Sequence, residues 1–69
     1  MKHGFTVGNI KKQLRLEAKH IAGQYSLLWT DLVHSKLVNI ERAYRDRMSE
    51  QVYDDMFDYG MDCVRKAAQ

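Results

Sequence analysis

The chain has 69 residues, of which 45% are hydrophobic and 29% charged, with one cysteine and no proline. That length allows a single domain, residues 1–69, and a domain of this size buries only about 60% of the surface its unfolded chain exposes. Cys63 alone excludes an internal disulfide framework and suits a reducing compartment, while the hydrophobic content excludes a disordered chain and the missing prolines favour long helices. The net charge of +2 conceals a polarity. Residues 1–20 carry Lys2, Lys11, Lys12, Arg15 and Lys19 against Glu17 alone, a net +4, and residues 21–69 carry six basic against eight acidic side chains, a net −2.

At the N-terminus, Met1 to Thr6 leads into no unbroken apolar run, so the expectation is a cytoplasmic protein without a secretory signal or a membrane span. The first helix is predicted over residues 7–22. Thr6 is placed to cap it, and Gly23 follows Lys19 and His20 where a left-handed C-terminal residue would sit. At about 100° per residue, Val7, Ile10, Leu14, Ala18 and Ile21 share one face. Lys11, Lys12, Arg15 and Lys19 gather on one flank of that face, and Leu16 points away from it.

The second helix is predicted over residues 26–48. Trp29, Leu32, Val33, Leu37, Ile40, Ala43, Tyr44 and Met48 fill a sector of roughly 160°, which also takes in Lys36 and Arg47, whose charges need water or an acidic partner. Leu27 and Val38 lie on the reverse side, flanking Asp31 and His34, and Leu28 sits at the edge of the stripe. This helix outruns the first, so an antiparallel hairpin would leave its last turns for something else to cover.

The third helix is predicted over residues 50–67, either capped by Ser49 or continuous with the second. Val52, Tyr53, Met56, Phe57, Met61, Cys63, Val64 and Ala67 occupy one half of its wheel, and Asp54, Asp55, Asp58, Asp62, Arg65 and Lys66 the other. Gly60 falls in the apolar half. There it costs about 1 kcal/mol relative to alanine but lets a neighbouring helix approach closely.

The fold class is therefore all-α: two or three amphipathic helices in a hairpin or bundle. Because the apolar sectors are wide, the bundle is expected to be completed by dimerisation, the commonest closed symmetry.

No constellation points to chemistry. His3, His20, His34 and Cys63 match no metal-ligand spacing, the segment from Gly4 to Asn9 lacks the lysine and strand context of a phosphate loop, and the carboxylates line a solvent face. The expectation is a protein that is not an enzyme and has no cofactor or metal. It is read as a small adaptor, inhibitor or regulator, of the kind phages and mobile elements encode, which binds a larger protein. The candidate contact residues are Tyr25, Leu27, Leu28, Trp29 and Val38, since tryptophan and tyrosine dominate interface hot spots. Two charged faces accompany them: the basic flank Lys11, Lys12, Arg15 and Lys19, and the acidic face Asp54, Asp58 and Asp62, whose like charges at i,i+4 repel. The two faces could pair within one chain or between two. The alternative is a nucleic-acid-binding regulator whose basic flank follows a phosphate backbone, although Tyr25, Leu27, Leu28 and Trp29 are apolar where base-reading side chains belong.

Overall fold

The computed structural model describes residues 6–44 and 48–69. Among them the chain forms three α-helices, α1 (Val7–Ala22), α2 (Trp29–Ala43) and α3 (Glu50–Ala67), with one 3₁₀ turn, Ser26–Leu28, leading into α2. No strand occurs among the described residues.

Local chemistry sets most of the boundaries. Thr6 is extended and its hydroxyl accepts the Asn9 N–H, so α1 begins at Val7. Ser49 does the same for α3, accepting the Val52 N–H at 3.1 Å with an extended backbone. The second and third helices are therefore separate.

Three expectations require correction. Gly23 is right-handed, with φ −80°, because α1 ends through tightened bonds to His20 and Ile21 carbonyls instead of a left-handed cap. Residues 26–28 form a 3₁₀ turn, so α2 proper starts at Trp29. Finally, α2 stops at Ala43 rather than running to residue 48. Tyr44 takes φ −128° and ψ 39°, while Met48, outside any helix, is buried against the core. Arg47 lies outside the described residues.

Shared surface clefts fix the helix directions. Gln13 opens onto the same cleft as Ile40 and Tyr44, and Glu17 and Ile21 onto the same cleft as Lys36 and Leu32. Thus α1 and α2 run antiparallel. Val7 shares a cleft with Val52 and Met56, and Arg15 bonds to Tyr59, so α1 and α3 run parallel. The result is an up-down-up bundle with its core on the common axis.

That core comprises Ile10, Leu14, Ala18 and Ile21 from α1, Val33, Leu37 and Ile40 from α2, Met56 and Val64 from α3, and Met48. It draws on the faces that periodicity assigned to each helix, although Val7, Ala43 and Ala67, placed on those faces, stay exposed. Gly60 is itself buried and stands where side chains of the other two helices meet α3: a Cβ there would lie 3.0 Å from Val33 Cγ1 and 3.4 Å from Leu14 Cδ2. The α3 helix covers what a two-helix hairpin would have left open. No helix among the described residues is long and apolar enough to cross a membrane.

Candidate functional site

Large apolar side chains that the core leaves unused collect at the corner between α1 and α2. Tyr25, Leu27 and Leu28 are 76%, 86% and 44% exposed, although the backbone around them is well ordered by local bonds. The Tyr25 carbonyl accepts the Leu28 N–H at 2.9 Å, closing the 3₁₀ turn. Trp29 is half-buried against the core, and its indole N–H donates to the Gln24 carbonyl at 3.1 Å. An aromatic anchor thus pins the corner while its neighbours point outward. The last turn of α1, entering the corner, carries Lys19 and His20, both exposed.

Val38 does not join this group. It is on the reverse side of α2 and 36% exposed, ten residues beyond Leu28, or about 15 Å along a helix axis. His34 intervenes on the same side.

The basic flank divides in two. Lys11 and Arg15 turn toward α3 and converge on Tyr59: the Lys11 ammonium lies 5.2 Å from the ring centroid, and Arg15 Nη1 donates to the phenol oxygen at 3.0 Å. Lys12 and Lys19 are exposed. Among the described residues no ion pair joins any of the four to an acidic side chain. The acidic face of α3 keeps Asp54 and Asp58 exposed, and Asp62 pairs with Lys66 at 3.1 Å along its own helix.

A further cluster stood outside the sequence expectation. The imidazole of His34 stacks on Phe57, with ring centroids 4.2 Å apart, and on Tyr53 at 5.9 Å. His34 Nδ1 and the Tyr53 hydroxyl are 2.9 Å apart. Burial, and secondarily the negative charges of Glu41 and Asp54, raise the Tyr53 phenol above its ordinary value. The signal in the sequence was the i,i+4 pair Tyr53 and Phe57 on one flank of the α3 stripe. It meant nothing until α2 was known to lie beside that flank. Tyr59, on the opposite flank, was likewise invisible as the anchor of Lys11 and Arg15.

Among the described residues no three His, Cys, Asp or Glu side chains come together in a group that could hold a metal ion, and Cys63 is a half-buried free thiol. No protein family matches the chain, and comparison with curated proteins and solved structures finds no significant match to it.

Proposed function

We propose that the chain is a small cytoplasmic, self-associating helical protein that acts by binding a larger protein through the Tyr25–Leu28 corner. The observation that carries this reading is that Tyr25, Leu27 and Leu28 lie exposed together on an ordered turn while the bundle closes its core without them. Exposed apolar clusters rimmed by polar groups mark interaction sites on soluble proteins. An aromatic anchor beside them fits the usual composition of a hot spot. With Lys19 and His20 entering the corner, the matching partner surface is an apolar pocket with acidic residues at its edge. Ordering by the Trp29 bond keeps the entropy cost of binding low.

The test is affinity purification from the native host with the wild-type chain and with Leu27→Ser/Leu28→Ser. A protein recovered with the former and lost with the latter, while both give the same helical circular dichroism, supports the reading. Equal recovery with both variants overturns it.

A second reading, nucleic-acid binding, has its own observation: Lys11, Lys12, Arg15 and Lys19 line one flank with no acidic partner among the described residues. Phosphate contacts by such a flank would give binding that weakens steeply with salt. Gel shifts at low salt that are unchanged when the four become alanine dismiss it.

A further inference from the structure

Three parts of the surface remain without an assigned role: the His34–Tyr53–Phe57 stack, the cleft between α1 and α2, and the outer face of the α1–α3 pair. The last carries an inference, which rests on the self-association proposed above and places it.

On the side of the bundle away from α2, α1 and α3 lie side by side and parallel. Tyr59 marks the seam between them, held by Lys11 and Arg15. Moving outward from the seam over α1, the helical wheel brings up Arg15, then Lys19 and Lys12. Moving outward over α3, it brings up Asp55, Asp62, Asp58 and Asp54, with Lys66 and Arg65 among them in the last turn. The face is therefore split into a basic ridge and a ridge that is acidic from Asp54 to Asp62. Within the chain the ridges do not neutralise each other, since no ion pair spans them among the described residues. Asp54 and Asp58, one turn apart and both exposed, keep their mutual repulsion.

We infer that this face binds a second copy of the same face. A two-fold axis lying in the contact plane, parallel to the helices and above the seam, carries α1 of one copy over α3 of the other and leaves the helix directions parallel. Each basic ridge then meets an acidic ridge, twice, in an isologous contact. The heights agree. Lys11 and Arg15 flank Tyr59 and so stand level with Asp58 and Asp62, their opposite numbers across the axis. Lys19, one turn on, stands level with Arg65 and Lys66 and adds nothing to the attraction. Val7, 38% exposed, and half-buried Val52 share a cleft with Tyr59 and give the patch some apolar content. Two parallel helices of about 25 Å offer about 500 Å² per copy, or about 1,000 Å² in all, the lower limit for a specific contact. Such a dimer is weak and salt-sensitive.

The experiment is sedimentation equilibrium of the whole chain at low and high salt, with two reversal variants: Lys12→Glu/Arg15→Glu on α1, and Asp54→Lys/Asp58→Lys on α3. All four positions are exposed, and circular dichroism confirms that each variant is folded. The expected result is a wild-type dimer whose dissociation constant rises at least tenfold in either variant, since each then opposes like charges. Mixing the two variants restores association as a heterodimer, because one then carries two acidic ridges and the other two basic ones. A chain that stays monomeric at every concentration sinks both the dimer and the face. A dimer indifferent to the reversals, or variants that fail to associate when mixed, sinks the face alone.

Discussion

Gly60 faces Val33 across the α2–α3 contact so closely that any β-carbon at 60 would sit 3.0 Å from Val33 Cγ1. Val33 is fully buried and, being β-branched in a helix, has one strongly preferred rotamer, so it cannot swing aside. Gly60→Ala gains about 1 kcal/mol of helix propensity but is overpacked by a cost of about 1–3 kcal/mol. The expected outcome is a modest net destabilisation. Gly60→Leu, which has no such room, unfolds the chain. In urea melts, Val33→Ala combined with Gly60→Ala is less destabilising than the sum of the two single changes, a coupling that a helix-propensity effect alone would not produce.

Leucines divide sharply by position. Leu37 is fully buried, whereas Leu27 is 86% exposed. Leu37→Ala removes about 2–5 kcal/mol, enough to consume most of the stability of so small a domain. Leu27→Ala stays within about 0.5 kcal/mol. Thermal melts of the pair decide whether the corner is free of structural duty, as its proposed role in binding requires.

How much of this was legible in the sequence depended on whether the cause was local. Thr6 and Ser49 announce α1 and α3 because a cap is a bond made within three residues. The end of α2 was not announced. Ala43, Tyr44 and Met48 continue its helical spacing, and no glycine or proline interrupts them, so the pattern ran on to residue 48. What ends the helix is tertiary: Met48 enters the core and Ser49 starts a new axis. The faces that form the core were readable from periodicity. The partners of His34, Lys11 and Arg15 were not, since they depend on which flank of α3 each helix meets.

Alkaline pH is expected to weaken the α2–α3 seam. The Tyr53 phenol is raised above 10.0, chiefly by burial and then by Glu41 and Asp54, so the folded chain holds this proton more tightly than the unfolded one. Stability is therefore full below about pH 10 and falls as pH rises from there toward the folded value. Tyr53→Phe, which also removes the hydroxyl that meets His34, flattens this alkaline limb in melts taken from neutral pH upward. An unchanged limb would assign it to other tyrosines.

The α3 cap offers a quantitative check on the break between α2 and α3. Ser49 accepts the Val52 N–H at 3.1 Å, and Ser49→Ala should cost about 0.5–2 kcal/mol. Were the two helices continuous in solution, Ser49 would be an interior position and alanine, the better helix former, would stabilise instead. The sign of the change in denaturant midpoint separates the two cases.

Trp29 links the fold to the proposed contact. Its indole N–H bond to the Gln24 carbonyl spans the corner that presents Tyr25, Leu27 and Leu28, and it involves an exposed carbonyl, so Trp29→Phe costs only about 0.5–1.5 kcal/mol. The corner loses its pin all the same. Amide exchange at residues 24–28 should then accelerate while that of buried Leu14 and Leu37 follows the small global change. A partner that uses the ordered turn is bound less tightly by Trp29→Phe although no contact residue has been altered, because ordering now has to occur on binding. Unchanged exchange at 24–28 would show that the 3₁₀ turn alone orders the corner and that Trp29 serves only the core.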